Sequence, residues 1–113
     1  MFSLLFGGLK KGSVSPSEAK KRLEEDKGVV LLDVRTPDEY RNVRIPGSKL
    51  VPVGQIHSKI EKVVPDKAAE IIVYCQSGMR ASTASAQLES MGYTNVRNLG
   101  GIISWPYETE SGR

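Results

Sequence analysis

The sequence predicts an α/β domain with a central, mostly parallel five-stranded sheet and helices on both faces. Two observations favour this class: short apolar runs alternate with stretches of helical spacing, and the connections between them are short. Strands joined through helices in this way run parallel, with right-handed crossovers. At 113 residues, with 39% hydrophobic and 26% charged residues, the chain is long enough for one core but too short for two.

The first half of the chain predicts two helices and two strands. The run 15–18, Ser-Pro-Ser-Glu, is a capping box with proline at the first helical position, and it starts a helix that extends to about Asp26. Val14, just before it, is assigned to a short strand. Residues 29–32 form a continuous apolar run, typical of a strand buried on both faces. The run 36–39, Thr-Pro-Asp-Glu, starts a short second helix.

The second half predicts three more strands and two more helices. The strands are short or apolar, and the helices carry apolar residues at helical spacing and end near Pro65 and Gly92. In order, the predicted elements are an edge strand at 48–51, a helix at 56–64, a strand at 71–74, a helix at 81–91, a strand at 95–97 and a helical turn near 105. We therefore expect a domain at 13–107, with an N-terminal tail at 1–12 and a C-terminal tail at 108–113.

Cys75 is the only cysteine in the chain, and it lies where the strand at 71–74 ends. The loop that follows it consists of Gln76, Ser77, Gly78, Met79 and Arg80, and the next helix begins at once. Backbone N–H groups in such a loop converge on one point, and the helix dipole adds about half a positive charge there. The same field stabilises a thiolate, the nucleophilic form of cysteine. The pattern therefore predicts that Cys75 is a reactive nucleophile in an anion-binding loop.

Asp33 and Arg35 also follow a predicted strand, so they should lie on the same rim of the sheet as Cys75. In a structural interpretation, Asp33 caps the following turn while Arg35 pairs with Glu39 or Asp38. A second interpretation, in which Arg35 assists anion binding at the cysteine loop, depends on the family resemblance described next.

Taken together, these segments resemble the single-domain rhodaneses from about Val14 to Trp105. Each matching motif is weak alone, but their order and spacing are specific. They are Ser15-Pro16-Ser17-Glu18, Leu32-Asp33-Val34-Arg35, Pro37-Asp38-Glu39-Tyr40, Ile45-Pro46-Gly47-Ser48, Val73-Tyr74-Cys75 with Gly78 and Arg80, then Ser82, Ala84 and Leu88, then Leu99-Gly100-Gly101 and Trp105. One departure is Val43-Arg44, where many rhodaneses have a Gly-His pair.

The resemblance implies a sulfurtransferase that needs no metal and no organic cofactor. In the family, the loop cysteine takes the outer sulfur of thiosulfate, releases sulfite and becomes a persulfide, which passes its sulfur to cyanide or to a thiol. Gly78 lets the loop wrap closely around an anion. For Arg80, we expect contact with the donor's sulfonate oxygens or bracing of the loop, against the alternative of a surface ion pair. The resemblance places Asp33 and Arg35 beside the loop as supporting residues.

Two other functions stay open. A protein-fed persulfide relay or binding module, with little thiosulfate turnover, would carry the same loop. A phosphatase or arsenate reductase is less favoured, because the related phosphatases need five residues between cysteine and arginine, and here four separate Cys75 from Arg80.

Composition narrows the partners and the location. The net charge of +3 comes without a basic stripe interleaved with aromatics, which argues against nucleic-acid binding and suits a small anionic sulfur donor such as thiosulfate, with a thiol or protein acceptor. A single cysteine fits a reducing compartment, and we expect a cytoplasmic protein. The apolar segment 1–6 is too short for a signal peptide or a membrane span, and we expect it to be docked or frayed.

Overall fold

The computed structural model describes residues 12–112, so the expectation for segment 1–6 falls outside the described residues. The strands are β1 (Val30–Asp33), β2 (Lys49–Leu50), β3 (Ile71–Cys75) and β4 (Val96–Gly101). The helices are α1 (Pro16–Glu25), α2 (Pro37–Asn42), α3 (Ile56–Val63) and α4 (Met79–Ser90), with 3-10 turns at Val53–Gln55 and Ile102–Ser104. All strands pair in parallel, in the order β2-β1-β3-β4.

Within residues 12–112 the sheet has four strands, so the expectation of five is corrected. Ser13 forms an isolated parallel bridge with Asn98, and the Val14 N–H donates to the Asn98 carbonyl over 3.1 Å. Ser15 is already the N-cap of α1, and Pro16 supplies no N–H for a ladder. The chain therefore leaves the sheet edge before a fifth strand can extend.

The helix starts follow the predicted capping chemistry. Ser15 and Glu18 form the expected capping box of α1, and Thr36 and Glu39 form a second one at the start of α2. Helix α4 begins at Met79, two residues before the predicted start at 81, because Gly78 acts as its N-cap with φ of 120°. The cysteine loop is therefore shorter than predicted, and its last two residues belong to the helix.

The helices cover both faces of the sheet, as predicted, and alternate residues of β3 separate the two cores. Ile71, Val73 and Cys75 pack on the face covered by α3 and α4. Ile72 and Tyr74 pack on the opposite face, which α1 covers. The Cys75 side chain therefore faces the first turn of α4.

Part of the predicted C-terminal tail is joined to the domain through Arg44. Arg44 and Glu110 form an antiparallel bridge, and the Arg44 Nε donates to the Glu110 carboxylate over 3.1 Å. The guanidinium also donates to the Gly112 carbonyl and lies 4.5 Å from the centre of the Tyr40 ring. The residue that departs from the family pattern is thus engaged with the chain end. No helix within residues 12–112 is long and apolar enough to cross a bilayer.

Candidate active site

Cys75 is the last residue of β3, and its side chain is nearly buried, with 1% of the residue exposed. Its Sγ accepts hydrogen bonds from the Gly78 N–H over 3.0 Å and from the Ala81 N–H over 3.3 Å. One donor comes from the loop and the other from the first turn of α4, where the helix dipole is positive. The predicted convergence of backbone donors thus falls on the sulfur itself, and it favours negative charge there.

Gly78 gives the loop its tight path. Its φ of 120° is strained for residues with a side chain, and an added Cβ would lie 3.8 Å from the Gly100 Cα. Ser77 is exposed beside it. The positive φ of Gly78 thus accounts for the tight turn, while its role around a bound anion stays a prediction.

The backbone of Gly101, at the end of β4, packs directly against the first part of the loop, and this contact is called the wall below. A Cβ at this position would lie 2.7 Å from the Ser77 Cα and closer still to the Gln76 carbonyl oxygen. The φ of Gly101 is −121°, open to any residue, so the restriction is steric. The sequence motif included Gly101 without revealing this contact, although a glycine in a strand is a known indication of close backbone approach.

A shift in the β3–β4 register brings Gly101 to the loop. Val73 pairs with Asn98, whereas Tyr74 pairs with Gly100, so one residue of β4 is left out of the ladder. Gly100 has a φ of 95° at this bulge, and its N–H donates to the Asn98 side chain over 2.7 Å.

Arg35 and Asp33 form a buried ion pair, with 1% and 0% of their side chains exposed. The Arg35 Nε and Nη2 donate to the Asp33 carboxylate over 2.7–3.1 Å, and the Arg35 backbone N–H donates to the same carboxylate. Burial opposes the charge, but Asp33 outweighs it and raises the pKa of Arg35. Asp33 therefore caps its turn as predicted, whereas the predicted pairing of Arg35 with Glu39 or Asp38 is wrong.

The remaining guanidinium contacts of Arg35 connect it to the cysteine loop. Its Nη2 also donates to the Val43 carbonyl over 2.6 Å, and its Nη1 donates to the Gln76 side-chain oxygen over 3.3 Å. The Gln76 carbonyl accepts a further hydrogen bond from the Ile103 N–H over 3.3 Å. Arg35 therefore reaches the loop through Gln76, with its charge held by Asp33.

Arg80 forms a two-fold ion pair with Glu39 of α2. Its Nη1 and Nη2 donate to the two carboxylate oxygens over 2.7 and 3.0 Å, and the side chains of Arg80 and Glu39 are 35% and 30% exposed. The hydrogen bond from Arg80 is the main cause that lowers the pKa of Glu39 to about 2. Glu39 in turn raises the pKa of Arg80, and the charge of an ionised Cys75 makes a smaller contribution in the same direction.

Met79 is the most exposed large apolar residue within 12–112, with 82% of its surface accessible, and it directly follows the loop glycine. Ile103, whose N–H contacts the loop, is 67% exposed.

Across the described residues, no cluster of three or more His, Cys, Asp or Glu side chains is arranged to hold a metal ion.

Known proteins share both the sequence pattern and the fold. A profile of the rhodanese-like domain family matches residues 15–107. The thiosulfate sulfurtransferase PspE of Escherichia coli is 37% identical over 71 residues, which cover 63% of this chain and 68% of that protein. A sulfurtransferase of Allochromatium vinosum is 34% identical over 93 residues, covering 81% of this chain and 85% of its own.

Solved structures agree with this grouping. A rhodanese with anions from E. coli superposes with a TM-score of 0.71 at 32% identity, covering 74% of this chain and 99% of that one. The human single-domain sulfurtransferase TSTD1 superposes with a TM-score of 0.75 at 27% identity, covering 83% of this chain and 94% of that one.

Proposed function

This chain belongs to the rhodanese-like domain family and is a rhodanese-type sulfurtransferase, and we propose that it carries sulfane sulfur as a persulfide on Cys75. The observation that carries the proposal is the pair of backbone N–H groups, from Gly78 and Ala81, that donate to the Cys75 Sγ. Donors fixed by the fold stabilise a thiolate before the reaction, and they equally suit the anionic persulfide after it.

The proposed reaction has two displacement steps. The Cys75 thiolate attacks the outer sulfur of thiosulfate or of a similar donor, and a new S–S bond forms as the donor's own S–S bond breaks. The electron pair of the broken bond leaves on sulfite. An acceptor thiolate, or cyanide, then attacks the terminal sulfur of the persulfide, and Cys75 returns as a thiolate.

The supporting residues have separate roles in this proposal. Gln76 is held by Arg35, which keeps the start of the loop in place, so Arg35 and Asp33 are positioning residues. Gly78 supplies a hydrogen-bond donor to the sulfur. Ser77 and Met79 are exposed, and together with Arg80 they form the solvent-facing edge of the loop, called the mouth of the site below. Arg80 is the loop's own cation, available to a donor's sulfonate oxygens only in competition with Glu39.

Intact mass measurement tests the proposal directly. The reduced protein is incubated with thiosulfate, and we expect a gain of one sulfur, about 32 Da, on the wild type and none on Cys75→Ser. Because Cys75 is the only cysteine, an added sulfur on a thiol can be assigned to this residue. Sulfur transfer by Cys75→Ser at the wild-type rate would refute the role of Cys75.

A protein-fed persulfide relay is the second candidate, and the Arg80–Glu39 pair favours it. Because Glu39 neutralises the loop arginine, the site attracts a small dianion less strongly than it would if the Arg80 guanidinium were unpaired. Relatives include a putative sulfur carrier protein of Bacillus subtilis, which is 29% identical over 98 residues. Rapid loading of Cys75 from a cysteine desulfurase, together with poor turnover of thiosulfate, would support the relay.

Phosphatase or arsenate reductase activity remains the less favoured alternative, because four residues separate Cys75 from Arg80. Hydrolysis of an aryl phosphate that is lost in Cys75→Ser would support it. The cytoplasmic location also stays a prediction.

A further inference from the structure

Glu39 is a carboxylate that contacts Arg80, the last residue of the Cys75 loop, and the proposed reaction does not use it. Two sets of contacts hold it there. Arg80 donates two hydrogen bonds to it, and the Thr36 N–H donates to its Oε1 over 2.9 Å within the capping box of α2. Its pKa of about 2 means that it is ionised at neutral pH.

The Glu39 carboxylate neutralises the only cation contributed by the cysteine loop. Arg35, on the other side of the loop, is similarly neutralised by Asp33. Each of the six arginines within residues 12–112 lies within 4.0 Å of a carboxylate oxygen. Among residues 12–112, an anion that approaches Cys75 therefore meets no free guanidinium, and its attraction comes from the loop amides and the start of α4.

We propose that Glu39 is a specificity-determining residue that weakens the approach of small anionic donors to Cys75 by neutralising Arg80. The inference rests on the proposed function for its biological meaning, because it favours donors with little charge beside the transferred sulfur. A fixed negative charge near a binding site discriminates between ligands by repelling the anionic ones, and such repulsion is a common source of specificity. Since Coulomb energy scales with ligand charge, a dianion is disfavoured more than a monoanion.

Alkylation of Cys75 measures this effect without any sulfur transfer. Iodoacetate is a monoanion and iodoacetamide is neutral, and both displace iodide by attack of the same thiolate. The ratio of their rate constants cancels any change in the nucleophilicity of Cys75, the only thiol present. We expect Glu39→Gln to raise the iodoacetate-to-iodoacetamide ratio by roughly two- to fivefold at low ionic strength. The increase should shrink in concentrated salt.

Asp38→Asn is the matched control. Asp38 is the neighbouring residue of α2, pairs with Arg41 and has a side chain 87% exposed, so its substitution changes the net charge equally without releasing Arg80. Glutamine at position 39 keeps a side chain suited to the capping box. We expect the ratio for Asp38→Asn to stay close to the wild-type value, and equal ratios for Asp38→Asn and Glu39→Gln would overturn the inference.

Arg80→Met provides an independent variant if Glu39→Gln fails to fold. It leaves Glu39 unopposed at the mouth, so the alkylation ratio should fall below the wild-type value, and an unchanged ratio would count against the inference.

The KM for thiosulfate tests whether Glu39 also affects the sulfur-transfer reaction. As a dianion, thiosulfate should respond to Glu39→Gln with about the square of the iodoacetate factor, seen as a lower KM. Failure of the proposed function is recognised separately, since it appears as the absence of a Cys75 persulfide in the wild type with any donor. The alkylation ratio still decides the role of Glu39 in that case.

Discussion

The two ends of the cysteine loop are held in different ways. At the start, Gln76 is fixed by Arg35, by the Ile103 N–H and by the wall at Gly101, all through short-range contacts. At the other end, Met79 is 82% exposed and Arg80 is held by the partly exposed carboxylate of Glu39.

The two ends of the loop differ in how firmly their arginine–carboxylate pairs are held. Both ends use an arginine–carboxylate pair, but the Arg35–Asp33 pair is buried, whereas about a third of the Arg80 and Glu39 side chains is accessible. A buried pair is costly to break because it leaves an uncompensated charge, whereas an exposed pair contributes little to stability and responds to salt. The first end therefore sets the geometry of the loop, and the second adjusts its charge.

Removal of Arg35 should have the largest effect on stability. Arg35→Ala leaves the Asp33 carboxylate buried without its partner, and we expect a loss of about 3–5 kcal/mol in the free energy of unfolding. Urea unfolding at pH 7 measures it. Arg41→Ala breaks an exposed pair with Asp38 and should change stability by no more than about 0.5 kcal/mol. Similar losses in the two variants would remove the contrast between buried and exposed pairs.

A side chain at Gly101 should disturb the fixed end of the loop. Gly101→Ala forces a methyl group against Gln76 and Ser77, and we expect a loss of about 1–3 kcal/mol in the free energy of unfolding. Because the loop must shift, the rate of persulfide formation should fall by about 100-fold. Gly54→Ala is the control, since a Cβ there would have nothing within 4 Å. Wild-type rates for Gly101→Ala would show that the loop tolerates displacement.

Loss of the Arg80–Glu39 pair should affect stability less than Arg35→Ala or Gly101→Ala, and its effect should depend on pH. The folded-state pKa of Glu39, about 2, lies below its ordinary value of 4.5, so its contribution is present above pH 4.5 and is lost as the pH falls toward 2. We expect Glu39→Gln to be less stable than the wild type by under about 1 kcal/mol at pH 7. Urea midpoints of the two proteins should converge between pH 4.5 and 2, and a constant difference would contradict this assignment.

The sequence was informative where function depends on backbone geometry. The strand, Cys75, Gly78 and the helix after them were sufficient to predict convergent N–H donors, because chain order alone places a loop between a parallel strand and its helix. The shared rim of Asp33, Arg35 and Cys75 followed from the same topology.

Side-chain partners could not be predicted in this way. Glu39 was assigned to Arg35 as one option, yet it pairs with Arg80, which is 41 positions away in sequence. That choice depends on how α2 sits against the start of α4 and on the burial of Arg35 with Asp33, and neither is visible in local sequence patterns. The β4 bulge and the loss of the fifth strand similarly depend on tertiary register.

The contact at Gly101 also has a consequence for folding: the proposed sulfur site is complete only once β4 has paired with β3. A peptide of residues 71–91 would contain β3, the loop and α4 in full, but it would lack the β4 backbone that confines Gln76 and Ser77. Such a short peptide would not by itself hold the loop in its folded geometry around the sulfur. An unfinished chain on the ribosome is in the same condition until β4 has been made and paired. If Cys75 carries sulfur as proposed, nascent and unfolded molecules should load it more slowly than folded domains.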